Sequence, residues 1–299
     1  MKYNSNLIKL IIGVMAISFS PLAVKQVVFT PTVSAFYRCF YAGLFLLIWS
    51  GINYKTELKS TNYKWFLPVA IGSIAFAIDL IFWHKSIVYI GAGPATFLGN
   101  SQFVFVAIFA FFVFKEKISG AFVALASVIM AGLYLLMPHF TSVVSRPTGY
   151  LYGMIVGITY AVFLICLRYA KKLSDHTYPE IFSLSFTFTI SAVLIGLYAV
   201  FVEGSRLLVF DIHSHVLMAL TSFFAQTLGW YLIKTNMTKI DAHKGSLLLI
   251  GQPILATVWG IILFWEPMSA LQVVGVVMAS GGIAAYLLTS TGSSEAIEE

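Results

Sequence analysis

Phe76-Ala77-Ile78-Asp79-Leu80-Ile81-Phe82-Trp83 and, 147 residues later, Phe223-Phe224-Ala225-Gln226-Thr227-Leu228-Gly229-Trp230 share one spacing, F-x-x-(D/Q)-x-x-x-W. After a three-residue difference in length the correspondence resumes at an offset of 150: Gln102 with Gln252, Phe114 with Phe264, Glu116 with Glu266, Ser119 with Ser269, and Gly132 with Gly282. Nearer the start of each half only Gly13 and Gly153 agree. Self-similarity that holds its register over equivalent apolar runs reads as a duplicated unit. The fold then follows from what one unit contains.

Hydrophobic residues make up 59% of the 299 and charged residues only 10%, with a mean hydropathy of +0.90. A soluble domain carries about 25% charged residues, so this composition excludes one and places the chain in lipid. A helical span needs about 20 apolar residues, which leaves no room for a separate catalytic or nucleotide-binding domain. Apolar runs bounded by polar or Gly/Pro punctuation fall at roughly 7–28, 32–51, 65–88, 94–114, 119–137, 148–169, 179–202, 214–236, 243–264 and 269–289. Continuous runs of this length argue against a β-barrel, whose strands alternate over about 10 residues. Thr30-Pro31 is the tightest boundary, and the first run, with Lys2 and Lys9 before it, reads as a span rather than a cleaved signal peptide. Cys39 and Cys166 lie in apolar runs as buried thiols, and no cofactor loop or metal-ligand spacing is present.

Ten spans put both termini on one side. That side receives 13 of the 18 Lys and Arg (among them Lys55, Lys64, Lys115, Arg168, Lys171, Lys234 and Lys244), whereas Lys25, Lys85, Arg146 and Arg206 fall opposite and Arg38 sits within the second span. By the positive-inside rule the termini are cytoplasmic, in the manner of a bacterial inner-membrane protein. The formal charge of +6 and the pI near 9.2 therefore record orientation and not a nucleic-acid partner. The expected organisation is all-α: one five-helix repeat over 1–138, a second over 148–290, and a cytoplasmic tail over 291–299. An odd number of spans per repeat sends the second through the membrane in the opposite sense, the inverted architecture of many secondary transporters.

The residues also carry a family resemblance. Phe82-Trp83-His84-Lys85-Ser86, Tyr89-Ile90-Gly91-Ala92-Gly93-Pro94-Ala95, Leu98-Gly99-Asn100 and Phe114-Lys115-Glu116-Lys117-Ile118-Ser119 resemble an EamA domain of the drug/metabolite transporter superfamily. The second half ends its counterpart at Phe264-Trp265-Glu266-Pro267-Met268-Ser269. The resemblance covers essentially the whole chain as two copies, and implies ten helices, cytoplasmic termini and movement of small metabolites. Arg38, in the span after Pro31, resembles an arginine common in the family. The second half departs from the first with Asp241-Ala242-His243-Lys244 where the first has Gly91-Ala92-Gly93-Pro94.

Charges at bilayer depth are costly and need a protein or water environment. Asp79 lies near the middle of the third span, and helical spacing puts Phe76, Phe82, Trp83 and Ser86 on its face. Three readings stay open for it: attraction of a cationic or amine-bearing substrate through charge and ring faces, carriage of a coupling proton, or a structural pair with Arg38 or Lys25. Arg38 can neutralise Asp79 or take a substrate carboxylate bidentately, and together they can hold the two ends of a zwitterion. Gln226, with Phe223 and Trp230 beside it, is the uncharged counterpart in the other half, either a substrate contact or helix–helix glue. Asn100 shares a face with Thr96 and is a further binding candidate, while Gln102 and Gln252 read as interhelical hydrogen-bonding groups. His84 is either a proton relay or an interfacial histidine beside a snorkelling Lys85. Glu116 and Glu266 read as boundary residues, Ser119 as an N-cap and Ser269-x-x-Gln272 as a capping box.

The candidate binding set is thus Arg38, Asp79, Trp83, Asn100, Gln226 and Trp230, with Asp79 and His84 as proton-coupling candidates and no metal, cofactor or catalytic set. The partners expected are a small molecule and membrane lipid. A permease moving a small metabolite, such as an amino acid or another amine-bearing or zwitterionic compound, fits best. The alternative is a channel or lipid-handling scaffold without alternating access. An intramembrane enzyme lacks the nucleophile–base cluster it would need.

Overall fold

The computed structural model describes residues 2–20, 23, 26–53, 63–90, 92–136, 147–174, 180–237, 239, 242–265 and 268–295, without the side chains of 2–4, 87–88, 92–94, 136, 242–244, 264 and 287–295. Lys25, Gly91, Asp241, Glu266 and the end of the tail, all named above, lie outside these. Every regular element among the described residues is helical: α1 (Lys2–Ser18), α2 (Pro31–Asn53), a 3₁₀ turn (Tyr63–Trp65) leading into α3 (Phe66–Ile90), α4 (Ala92–Asn100), α5 (Gln102–Phe114), α6 (Gly120–Leu136), α7 (Pro147–Leu173), α8 (Glu180–Phe201), α9 (Ile212–Thr221), a π-helical stretch (Ser222–Gly229), α10 (Trp230–Met237), α11 (Ala242–Leu249), α12 (Gly251–Phe264) and α13 (Ala270–Glu295). Among the described residues seven helical segments are long and apolar enough to cross a membrane, and three shorter apolar helices lie at Ser5–Ser18, Gly120–Leu135 and Ala270–Tyr286.

Local chemistry sets most boundaries. Pro31 opens α2, where its missing N–H costs nothing, and the Thr30 hydroxyl accepts the Val33 amide at 3.4 Å. The first two runs are therefore separate helices. A turn at Phe19 interrupts the first run, with Ser20 and Ala23 helical beyond it; 21–22 and 24–25 lie outside the described residues. The runs at 94–114 and 243–264 are each broken in two, at Ser101 and at Ile250. At the second break Pro253 leaves the Leu249 carbonyl without its helical donor. α13 continues to Glu295, into the segment expected as tail.

The 150-residue register reappears in backbone geometry. Lys115 and Trp265, 150 apart, end α5 and α12 in the left-handed region at φ 60° and 54°. Ser119 Oγ accepts the Phe122 amide at 3.1 Å and Ser269 Oγ the Gln272 amide at 3.3 Å, while Gln272 Oε1 takes the Ser269 amide at 2.9 Å. The capping box is thus formed in full. The three-residue difference falls between helices: one residue separates α3 from α4, and four separate α10 from α11.

Packing repeats the pairing. α2 lies on α8 and α6 on α13; α3 lies on α7 as α10 and the π stretch lie on α1; α4 and α5 lie on α7 as α12 lies on α1. Exchanging each helix for its partner in the other half turns one set of contacts into the other. Gly132 and Gly282 are the reciprocal close approach between α6 and α13. A Cβ on Gly132 would meet the Ala279 nitrogen at 2.6 Å, and one on Gly282 the Ile129 Cγ1 at 2.6 Å. Gly132→Leu is expected to lower thermal stability by about 1–3 kcal/mol through overpacking, whereas Gly281→Leu, with nothing within 4 Å, is tolerated. Thermal unfolding in detergent checks both, and equal shifts would refute the interface.

Candidate functional site

One face of α3 meets α7 along its length. Phe76 tilts against Phe163 with ring centroids 4.5 Å apart, Phe82 lies 5.0 Å from Tyr152, and Ser86 Oγ donates to the Gly149 carbonyl at 2.9 Å. Asp79 sits within this face, 7% exposed, and its Oδ1 is buried without a hydrogen-bond partner among the described residues. Arg38 of α2 is half-buried with its Nε likewise unpartnered. No ion pair within 4 Å joins the two, so the direct structural pair is not formed. Arg38, Asp79 and the Tyr160 hydroxyl of α7 nevertheless lie within electrostatic reach of one another.

An aromatic floor lies beside these groups. The Trp230 ring approaches Phe163 at 5.1 Å, Phe76 at 6.1 Å and Tyr160 at 6.2 Å, and Phe188 of α8 closes on Phe76 at 5.9 Å. Phe76 and Trp230, from equivalent helices of the two halves, thus meet across the molecule. Tyr160, Phe163 and Phe188 carry no sequence signal that separates them from the other aromatics, which form 16% of the chain.

The remaining candidates are placed apart from this centre to different degrees. Trp83 is half-buried against the neighbouring His84 and near Gly99 of α4, outside the Trp230 cluster. His84 is buried: Nδ1 lies 2.6 Å from the Leu80 carbonyl, and Nε2 is buried without a hydrogen-bond partner among the described residues. Lys85 Nζ lies 4.8 Å over the Tyr198 ring. Asn100 Nδ2 donates to the Thr96 carbonyl at 2.8 Å within its own helix. Gln102 donates to the Ser246 carbonyl of α11 at 3.3 Å, the interhelical bond expected of it. Gln226 is buried in the π stretch, with Oε1 unpartnered among the described residues. Phe223 is not beside it in the interior: it is 39% exposed and packs on Phe45, because π winding advances each residue by less than an α-helix does and turns that side chain outward.

The two ends of the bundle are closed by different chemistry. At one end Tyr37 Oη donates to the Leu207 carbonyl at 2.6 Å, and His215 bridges Tyr41 Oη (2.9 Å) and the Val209 carbonyl (2.7 Å). Asp211 caps α9 there, its carboxylate accepting the Ser214 amide at 2.8 Å, and that hydrogen bonding holds its pKa below the ordinary value. At the other end the closure is ionic: Glu180 with Lys234 and Lys171, and Glu116 with Arg168. Lys234, counted from the sequence among the charges on the side of the termini, is buried.

The model of the EamA-like transporter family matches residues 5–137 and again 147–288. An uncharacterized transporter of Archaeoglobus fulgidus is 26% identical over 214 residues, 69% of this chain and 71% of its own length. A protein of known crystal structure superposes with a TM-score of 0.75 at 18% identity, covering 96% of this chain and 97% of its own, a likeness of fold alone. With two copies of the family domain spanning nearly the whole of an apolar, all-helical chain, the protein belongs to the EamA-like transporter family and is an integral membrane transporter.

Proposed function

We propose that the protein is a secondary transporter of a small amine-bearing or zwitterionic metabolite, bound between Arg38 and Asp79 and moved by alternating access. The observation that carries this reading is the pair of buried atoms, Arg38 Nε and Asp79 Oδ1, unpartnered among the described residues and within electrostatic reach but without an ion pair. A buried charge left without a hydrogen bond is costly. A ligand carrying both charges would satisfy both at once, with its apolar part on the Trp230–Phe163–Phe76 floor. Arg38 and Asp79 come from the first repeat, and Gln226 and Trp230 from the second, so the site lies between the halves, as a midplane carrier site does. His84, with Nε2 unpartnered among the described residues, is the second proton-coupling candidate after Asp79. Trp83 and Asn100 would form the periphery of the site.

The exchangeable packing of the halves, the matched left-handed caps at Lys115 and Trp265, and the matched N-caps at Ser119 and Ser269 support two five-helix repeats of opposite sense. Ten spans with cytoplasmic termini in a bacterial inner membrane fit that symmetry and the distribution of Lys and Arg. The test is flux into proteoliposomes, with the common amino acids and short amines as probes. Saturable uptake that accelerates when unlabelled substrate is loaded on the far side is expected. Conductance that never saturates would replace the carrier with a channel.

A further inference from the structure

Glu180, the first residue of α8, gathers two cations from neighbouring helices. Its carboxylate lies 3.0 Å from Lys171 Nζ of α7 and 2.8 Å from Lys234 Nζ of α10, and the Lys234 ammonium also donates to the Glu180 carbonyl at 3.4 Å. The side chains are 37%, 1% and 11% exposed for Lys171, Lys234 and Glu180, so the Lys234–Glu180 half of the cluster is the more deeply buried. Beside it Arg168 of α7 reaches Glu116 at 2.7 Å, with its guanidinium 4.9 Å over the Phe114 ring.

Between these ion pairs and the aromatic floor lies a small cavity. Leu164, Leu167, Ile233 and Met237 wall it, Trp230 lines it from the floor, and Lys234 and Arg168 line it from the ionic end. Trp230, Ile233, Lys234 and Met237 follow the i, i+3, i+4, i+7 spacing of one helical face, so α10 carries both the ring and the ammonium. Any displacement of that helix withdraws the two together.

A buried ion pair contributes little net stability, because removing both charges from water offsets most of their attraction. An apolar pair would hold three helices together at least as well. What an ion pair adds is two alternatives of similar free energy: direct contact when the interface is dry, and full hydration when it is open. At the opposite end the corresponding closure uses Tyr and His hydrogen bonds, with no carboxylate–ammonium pair among them.

We propose that Lys171, Glu180 and Lys234 form the gate at this end, with Trp230 as the lid between the gate and the Arg38–Asp79 site. The structure is then the state closed at this end, and outward movement of α10 joins the small cavity to the site. This rests on the alternating-access reading above, and it is tested without a substrate.

The test uses the full chain with Cys39 and Cys166 replaced by serine and with Leu164→Cys in the cavity wall. A membrane-impermeant maleimide is applied from each side of sealed vesicles. Labelling from the side bearing the termini is expected to be slow in this background, and about tenfold faster when Glu180→Gln and Lys234→Gln are combined, through a shift of the two-state population. Reversing the cluster with Lys171→Glu, Glu180→Lys and Lys234→Glu restores the ion pairs and is expected to restore slow labelling. Unchanged labelling in the doubly neutral variant overturns the gate. Acceleration from both sides overturns it too, as general loosening, and so does a folded reversed variant that stays fast. Accelerated labelling without saturable counterflow would keep the gate and remove the carrier reading. Counterflow with unchanged labelling would do the reverse.

Discussion

Asp79→Asn is expected to lower transport by at least about a hundredfold at matched protein density, the effect of losing roughly 3 kcal/mol from a buried charge-assisted contact. Asparagine has the same shape and no charge. It therefore removes the attraction for an ammonium group while relieving the cost of a carboxylate that has no hydrogen bond at Oδ1 among the described residues. Thermal stability in detergent should be unchanged or slightly higher, which separates a functional loss from misfolding. Two assays divide the roles left open for this group. If Asp79 binds the substrate, both counterflow and uphill accumulation fall. If it carries the coupling proton, accumulation is lost while downhill counterflow survives. Transport with an unchanged KM and pH profile would remove Asp79 from the site.

Arg38→Ala should be damaging in a different way. Among the described residues Asp79 has no ion-pair partner within 4 Å, and Arg38 is a cation that acts on it electrostatically. Deleting the guanidinium strands the carboxylate and is expected to cost about 2 kcal/mol of stability, the lower end for such a loss. Transport should disappear with it. Combining Arg38→Ala with Asp79→Asn should recover much of the thermal stability, because no buried charge is then left unbalanced, without recovering transport. The cycle of single and double variants, read by thermal unfolding and counterflow together, isolates the coupling. Additive stability losses would mean that the two groups do not act on one another.

The three features that set the bundle, its class, its period and its end caps, were legible because each rests on local chemistry. Membrane insertion follows from composition summed over windows of about 20 residues. The N-caps at Ser119 and Ser269 need only residues three apart, and both form as read. Misreadings arose where a run was treated as one straight rod. Ser101 and Ile250 break two of the runs, a turn at Phe19 interrupts the first, and π winding over Ser222–Gly229 swings Phe223 out of the interior. A π turn adds one residue between hydrogen-bonded partners, a shift that no hydrophobic period reports.

What the sequence by itself determined is a lipid-embedded, duplicated chain with a few polar groups that must be accommodated, since those conclusions depend on which residues are present and how they are spaced. The tertiary structure alone decided which of those groups meet. It set Asp79 near Arg38 without contact, drew Trp230 to Phe76 and left Trp83 beside α4, and buried Lys234 against Glu180. Each depends on how helices far apart in the chain are rotated against one another, and that rotation is set by close packing at positions such as Gly132 and Gly157, where any side chain would be in the way.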